Sequence, residues 1–280
     1  MLNLSTIIES SARTYPNKNA FTFANKNLTF AQINGAANQV ANGLIALGIN
    51  AGDKVALSCL NLPYFPIIYY GILKAGAIVV PLSVLLKSEE VAFHLRDSEA
   101  KAYICFEGTD DLPMGIEGLL GFNKAGSCEH LFVIPADPSG TLEMNGVRNY
   151  TELITDQPGT FEMVQTSGED VAVIIYTSGT TGQPKGAQLT HSNLFLNALA
   201  TSDLLKLSSE DIQLIVLPLF HIFAMTCQMN TGVYRAASSV LLPRFEGETV
   251  LNLMKEHKVS VFAGVPTMYW GLLNLSLIHI

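Results

Sequence analysis

Two patterns of apolar residues alternate along the first part of the chain. Longer segments carry apolar side chains at helical spacing, and shorter ones are nearly continuous runs rich in β-branched residues. The helical segments are residues 30–49, 63–76 and 88–99, and the predicted strands that follow them are residues 54–60, 77–82 and 101–106. Thr29 directly precedes the first of these helices and is a candidate N-cap. This alternation favours an α/β fold with largely parallel sheets flanked by helices.

Between residues 107 and 169 the pattern is looser, because turn-forming residues dominate. We predict surface loops there, interrupted only by a strand at 130–135 and one or two helical turns at 149–154. The alternation returns near residue 170. It predicts helices at 190–205, 224–238 and 247–258 and strands at 171–176, 212–219, 239–244 and 259–265.

One apolar segment, residues 66–86, is long enough to span a bilayer. Lys74 lies near its middle, where a charged side chain costs about 3 kcal/mol on insertion. Gly71, Gly76 and Pro81 divide the segment as expected for a helix, a turn and a strand. We therefore predict no transmembrane segment, while peripheral contact with a membrane stays open.

The composition excludes a disordered chain, since 49% of the residues are hydrophobic and 14% are charged. The formal net charge of −8 gives no electrostatic reason to bind nucleic acid, so an anionic ligand must be held by local groups. The four cysteines are widely separated, without the paired spacing of a zinc site. We expect reduced thiols in a cytoplasmic protein without a secretory signal peptide.

The candidate chemistry lies in residues 176–191, YTSGTTGQPKGAQLTH, which follow the predicted strand VAVII. A strand, a glycine-rich turn and a helix in this order bring free N–H groups and the positive end of a helix dipole together, which suits phosphate. The spacing excludes a Walker-type loop, because Pro184 precedes Lys185 and Gly186 follows it. Glycines at 179, 182 and 186 also differ from a dinucleotide-binding fingerprint. A flexible glycine turn without function is the alternative.

This string resembles, almost residue for residue, the ATP/AMP-binding signature of the adenylate-forming (ATP-dependent AMP-binding) superfamily. Further stretches resemble segments of the same family in the same order: LTFAQI from Leu28, LKAGAIVVPL from Leu73, LPLFHIFAMT from Leu217 and FAGVPTM from Phe262. Together they cover the chain from about the first helix to Trp270. The similarity is greatest to the acyl-CoA synthetase and long-chain fatty acid–CoA ligase branch.

The resemblance implies a reaction in two halves. A carboxylate attacks the α-phosphate of ATP to give an acyl-adenylate and pyrophosphate, and the thiol of coenzyme A then takes the acyl group. ATP, Mg²⁺ and coenzyme A would serve the complete enzyme, and its other substrate would be a small carboxylic acid, with a fatty acid as the first choice. In such chemistry the protein mainly positions two anions and neutralises developing charge.

The resemblance also assigns roles to residues. Lys185 would add a positive charge beside the departing pyrophosphate, with a solvated loop lysine as the alternative. His221 would orient the substrate carboxylate or gate the acyl tunnel, with a structural histidine as the alternative. His191 is better interpreted as a residue at the start of a helix than as a catalyst. The acid pocket would be lined by Phe220, Phe223, Gly264 and Val265, and the phosphates would lie against Thr177, Ser178, Gly179, Thr180, Thr181 and Gly182.

The family's adenine segment, acidic magnesium motif, ribose aspartate and C-terminal domain with its lysine are not found in this sequence. We therefore expect a partial N-terminal AMP-binding domain over residues 1–280, with a first α/β portion at about 1–160 and an ATP-loop portion at about 161–280. The metal ligands stay unknown, the final NLSLIHI matches no family segment, and the isolated chain is expected to be inactive. The alternatives are a non-catalytic binding protein on a decayed ligase scaffold and an adenylate-forming enzyme for aryl or amino acids.

Overall fold

The computed structural model describes residues 1–137, 139, 141–142, 144, 146–177 and 182–276. The chain forms two compact units, each built from segments that are separate in sequence. The first unit comprises residues 1–6, 34–60 and 67–194, and the second comprises residues 7–33, 61–66 and those from 195 onwards. The division expected near residue 160 falls inside the first unit.

The elements are numbered in chain order. The strands are β1 (Asn19–Phe23), β2 (Lys26–Thr29), β3 (Lys54–Ser58), β4 (Ile78–Pro81), β5 (Ala100–Phe106), β6 (His130–Ile134), β7 (Arg148–Asn149), β8 (Val171–Thr177), β9 (Lys185–Thr190), β10 (Ile212–Ile215), β11 (Ser238–Leu241) and β12 (Val261–Phe262). The helices are α1 (Thr6–Thr14), α2 (Phe30–Ala46), α3 (Tyr64–Lys74), α4 (Ser88–Asp97), α5 (Met114–Ala125), α6 (Tyr150–Ile154), α7 (His191–Leu204), α8 (Thr231–Tyr234), α9 (Gly247–Glu256) and α10 (Pro266–Ser276). A π-helix, Ala224–Asn230, directly precedes α8.

The sheet of the first unit has the strand order β7-β6-β5-β3-β4-β8-β9. Its neighbouring strands run parallel, except that β9 runs antiparallel to β8 and forms one edge. Apolar side chains from the sheet and from α4 meet in one buried cluster, which includes Val80, Leu95, Tyr103, Val133 and Ile174. These strands read as continuous apolar runs because helices cover the sheet.

The sheet of the second unit has the order β12-β10-β11-β1-β2. Its strands are parallel except for the β1–β2 hairpin. Leu214, Val216, Val240 and Val250 form its buried apolar cluster, with α9 and α10 packed against it. The predicted α/β fold with mainly parallel sheets is therefore confirmed in both units.

The predicted loop region between residues 107 and 169 is partly wrong, because it contains α5 in addition to the expected strand and helical turns. Glycine lowers helix propensity, so Gly115, Gly118 and Gly121 favoured a turn assignment. Contact with neighbouring elements explains them: a Cβ on Gly121 would lie 2.6 Å from that of Val91, and one on Gly118 would lie 3.0 Å from the sulfur of Cys105. Close packing of α5 therefore requires glycine at the positions that made this segment look like a turn in the sequence.

Other local predictions are confirmed. Thr29 caps α2: its hydroxyl accepts from the Gln32 N–H at 3.2 Å, and the Gln32 side chain accepts from the Thr29 N–H at 2.8 Å. The apolar segment 66–86 divides into α3 and β4, and Lys74 is fully buried within it. Among the described residues, no helix has both the length and the apolar character needed to cross a bilayer.

Candidate functional site

The described residues on both sides of the glycine-rich signature form a β-hairpin in the first unit. β8 and β9 pair so that Thr177 lies opposite Lys185 and Tyr176 lies opposite Gly186. The outer half of β9 is exposed, because no further strand covers this edge in the described part of the sheet. The hairpin therefore presents its loop at the edge of the sheet.

The expected order of strand, turn and helix at this loop is wrong. β9 follows the loop, and α7 begins only at His191. Thr190 lies opposite Val171, so the positive end of α7 is at the other end of the hairpin from the loop. The loop can thus offer phosphate its N–H groups, hydroxyls and Lys185, but not the dipole of this helix.

The residues proposed to contact phosphate fall into two sets. Ser178, Gly179, Thr180 and Thr181 lie outside the described residues. Thr177, Gly182 and Lys185, on either side of them, are exposed. Gly182 has φ of +92°, a conformation that side chains rarely adopt and that glycine permits. The flanks of the loop are therefore accessible to a ligand.

His191 at the base of the hairpin has a structural role. Its ring is buried, and its Nδ1 accepts a hydrogen bond of 3.0 Å from the N–H of Leu4. Burial lowers the pKa of His191 to about 4, against the opposing effect of Asp170. A neutral, buried histidine at the first position of α7 agrees with the interpretation favoured from the sequence.

His221 lies in the segment that leads from β10 into the π-helix of the second unit. Its side chain and that of Phe223 are exposed, and Phe220 is half-buried. The ring Nδ1 accepts a long hydrogen bond of 3.4 Å from the N–H of Phe223. A neutral ring that accepts through Nδ1 carries its proton on Nε2, so His221 can donate to a carboxylate oxygen.

Gly264 and Val265 follow β12, which is the parallel neighbour of β10. The carboxyl ends of parallel neighbours share one edge of the sheet, so both residues lie at the same edge as the His221 segment. A Cβ on Gly264 would lie 3.2 Å from the ring of Phe262 and 3.3 Å from the sulfur of Met268. The residues assigned to the acid pocket thus follow neighbouring strands at one sheet edge of the second unit, whereas those assigned to phosphate belong to the first unit.

Asn61, which was not predicted from the sequence, organises this edge of the second unit. Its buried side chain donates to the carbonyl oxygens of Leu217 at 3.0 Å and Leu242 at 3.1 Å, and accepts from the N–H of Leu219 at 2.9 Å. One amide therefore connects the segment after β10 with the segment after β11. Its partner Leu219 lies two residues before His221. Only the polarity of Asn61 within an apolar stretch, SCLNLPYF, hinted at such a role.

The cysteines and acidic residues do not form a metal site in the described part of the chain. All four cysteines are free thiols, and burial raises the pKa of Cys105 to about 12 and that of Cys128 to about 12. The described residues contain no group of three or more His, Cys, Asp or Glu side chains that could hold a metal ion. No ligands for Mg²⁺ are therefore assigned among the described residues, and no catalytic step is assigned to this ion.

Comparison with known proteins agrees with the geometry. The sequence pattern of the family described as AMP-binding enzyme matches residues 8–279. The long-chain-fatty-acid–CoA ligase of Bacillus subtilis is 30% identical, over 97% of this chain and 51% of its own. The long-chain-fatty-acid–CoA ligase FadD13 of Mycobacterium tuberculosis is 31% identical, over 96% of this chain and 50% of its own.

A solved structure is similarly close. The anthranilate CoA ligase AuaEII, in complex with anthranoyl-AMP, superimposes with a TM-score of 0.85 at 32% identity, over 95% of this chain and 50% of its own. The chain spans about half the length of the curated relatives that it matches. The family pattern, by contrast, extends over nearly the whole chain, from the first helix to the last. The chain therefore belongs to the AMP-binding enzyme family.

Proposed function

We propose that the protein is an ATP-dependent carboxylic acid–CoA ligase, or the part of one that carries the phosphate loop and a portion of the acid pocket. The observation that carries this proposal is the signature hairpin, in which exposed Lys185 is held in register opposite exposed Thr177. Relatives named long-chain-fatty-acid–CoA ligases support a fatty acid as the first choice of substrate. The 280-residue chain by itself is proposed to be inactive.

In the first half of the reaction, a carboxylate oxygen forms a bond to the α-phosphorus of ATP. The bond from this phosphorus to the bridging oxygen breaks, and pyrophosphate leaves with the electron pair. Negative charge on the leaving group therefore grows in the transition state. Lys185 would neutralise part of it, while the N–H and O–H groups of the loop hold the terminal phosphates.

His221 would bind the acid. With Nδ1 occupied by the Phe223 N–H, its Nε2–H would donate to the substrate carboxylate and leave the second oxygen for attack. Phe220 and Phe223, with Gly264 and Val265 at the same sheet edge, would pack against the apolar part of the acid. These contacts exist before and during the reaction, so they contribute mainly to the binding of the acid.

In the second half, the sulfur of coenzyme A forms a bond to the acyl carbon. The bond between this carbon and the oxygen of AMP breaks, AMP leaves with the electron pair, and the thiol proton passes to solvent. The products are an acyl-CoA thioester and AMP.

The test is exchange of labelled pyrophosphate into ATP, with acids from acetate to palmitate and a set of aryl acids. It is run on the 280-residue chain and on the chain extended along its natural reading frame to the length of its relatives. We expect exchange with fatty acids by the extended chain and none by the shorter one. Exchange by the shorter chain would place the catalytic groups within it.

Two other outcomes favour the alternatives. Exchange with aryl acids alone would indicate an aryl acid ligase, a candidate supported by the 32% identity to the anthranilate CoA ligase. Absence of pyrophosphate exchange by the extended chain with every acid would contradict the ligase proposal and favour a non-catalytic binding protein on the same scaffold.

A further inference from the structure

The outer part of the β8–β9 hairpin has little support from the sheet. β8 lies between β4 and β9, and its register with β4 is Val79 opposite Val173. In this parallel register Pro81, the last residue of β4, lies level with Ile175, so Tyr176 and Thr177 extend beyond β4 and pair with β9 alone. Two strands without a third neighbour form a marginal ribbon, so contacts outside the sheet must fix the direction of the loop.

Tyr176 provides these contacts. Its hydroxyl donates to the Asp97 carboxylate with an O–O distance of 2.6 Å. Its ring lies edge-to-face against the His94 ring, with 4.4 Å between centroids, and also contacts Phe93. Asp97, His94 and Phe93 all belong to α4, so one side chain joins the hairpin to this helix.

The same side chain also covers the opposite strand of the hairpin. A Cβ on Gly186, the partner of Tyr176, would lie 2.8 Å from Cγ2 of Ile174 and 3.4 Å from Cζ of the Tyr176 ring. Glycine at this position lets the aromatic ring lie across β9, an arrangement known to stabilise glycine in sheets. Tyr176 therefore contacts both strands immediately before the loop closes.

α4 is a firm support for such a contact. A Cβ on Gly121 of α5 would lie 2.6 Å from that of Val91, so the two helices pack closely. At the other end of α4, Leu95 belongs to the buried apolar cluster and the Arg96 side chain donates to the Lys124 carbonyl oxygen at 3.0 Å. Motion of the hairpin relative to α4 must therefore break the contacts of Tyr176 rather than displace the helix.

We propose that Tyr176 and Asp97 form a tether that positions the phosphate loop, so that Tyr176 is a positioning residue of the reaction. This inference rests on the proposed function, since the loop is taken to hold the phosphates of ATP. The carboxylate is a strong acceptor for a hydroxyl, and partial burial together with this hydrogen bond raises the pKa of Tyr176 and keeps it a donor. Loss of the tether leaves the loop residues intact but lets the loop approach the triphosphate from more directions.

The first test measures hydrogen exchange of the amides in residues 171–190 of the 280-residue chain, without nucleotide. Tyr176→Phe removes only the hydroxyl, and Asp97→Ala removes only the acceptor. Each should speed exchange of the outer hairpin amides about tenfold, and the double variant should be no faster than Tyr176→Phe, which already removes the bond to Asp97 together with the hydrogen bond to Ser98. Asp97→Asn retains an acceptor oxygen and should restore part of the protection.

Tyr103→Phe is the matched control, because Tyr103 is a buried tyrosine of the same unit that lies in β5 and hydrogen-bonds to Ser58. Its loss should leave exchange at the hairpin unchanged. Wild-type exchange in Tyr176→Phe, or additive effects in the double variant, would overturn the tether. This test does not use ATP, so it decides the tether even if the proposed function fails.

The second test uses the extended chain in pyrophosphate exchange. Tyr176→Phe should lower kcat/KM for ATP about tenfold and leave KM for the acid unchanged, because the loop acts on the phosphates. A variant that loses only thermal stability, with unchanged kinetics for ATP, would reduce Tyr176 to a structural residue and overturn the proposal.

Discussion

In the β8–β9 hairpin, the residues that carry the proposed chemistry are neighbours in sequence, and those that the structure describes, Thr177, Gly182 and Lys185, are exposed. At the strand edge of the second unit, the corresponding residues come from separate segments after β10 and β12. Buried hydrogen bonds from the Asn61 amide fix that edge, whereas the hairpin is held by the hydrogen bond from Tyr176 to Asp97 of α4. Both arrangements place a few polar groups at the ends of β-strands, but the contacts that hold these strand ends in place differ.

This difference suits what each region is proposed to do. A loop that must admit ATP and release pyrophosphate needs few buried contacts, since regions that open are those with low local stability. A pocket that only positions an acid benefits from a rigid edge with satisfied buried hydrogen bonds. We therefore expect substitutions in the loop of the hairpin to change mainly the reaction rate and substitutions of Asn61 to change mainly folding stability.

The largest effect is expected for Lys185→Ala in the extended chain. Removing one group that stabilises the charge of the transition state typically costs about a hundredfold in rate, or about 3 kcal/mol. KM for the acid should stay near the wild-type value, because Lys185 acts on the leaving group. Lys26→Ala, which removes an exposed lysine from β2, is the matched control. An equal loss in both variants would indicate a general charge effect and contradict the assigned role.

Asn61→Ala should destabilise the second unit by roughly 2–3 kcal/mol, because it leaves buried backbone groups without a partner. Urea denaturation measures the free energy of unfolding. Asn50→Ala removes an exposed side chain whose amide donates to the Gly48 carbonyl at 2.9 Å, and it should cost less than about 0.5 kcal/mol. Equal costs for the two variants would show that Asn61 does not hold the edge together.

Acid should destabilise the base of the hairpin. Because burial lowers the pKa of His191 from 6.5 to about 4, the unfolded chain binds this proton more tightly. The stabilisation from neutral His191 is fully present above pH 6.5 and is lost as the pH falls toward 4. Between pH 7 and pH 5 we expect a loss of roughly 1.5 kcal/mol in the free energy of unfolding. His191→Gln should reduce this pH dependence, and an unchanged slope would exclude His191 as its source.

The smallest expected effect is that of Gly186→Ala. The added methyl group would meet Ile174 at 2.8 Å beneath the Tyr176 ring, so we expect a loss of about 1 kcal/mol in unfolding free energy. Gly159→Ala is the control, because a Cβ added to Gly159 would have no neighbouring atom within 4 Å. It should be neutral or slightly stabilising. A neutral Gly186→Ala would show that the side chains of Ile174 and Tyr176 can move aside without cost.

Local signals predicted most of the fold. Continuous apolar runs located β3, β4, β5 and β8, and Thr29 marked the start of α2 through its capping box. The failures arose where tertiary contacts override local preference. α5 was missed because glycines that permit close helix packing look like turn residues, and β9 was missed because its exposed residues lack an apolar pattern.

The candidate site divides in the same way. The signature string singled out the hairpin loop as a candidate because its residues are contiguous, and His221 was proposed because it lies in a recognisable segment. Asn61 and the pair of Tyr176 with Asp97 were not found, because each acts across a long separation in sequence: Asn61 bonds to Leu242, and Asp97 to Tyr176. Hydrogen-bond partners that lie far apart in sequence cannot be predicted from local sequence patterns.

The central claim is that the hairpin loop binds the phosphates of ATP. The most direct measurement is a titration of the ¹⁵N-labelled 280-residue chain with magnesium-ATP, followed through its backbone amide signals. We predict that the signals of Thr177, Gly182, Lys185 and Gly186 move first and saturate together. Shifts confined to residues outside 171–190 would contradict the assignment of the loop to phosphate.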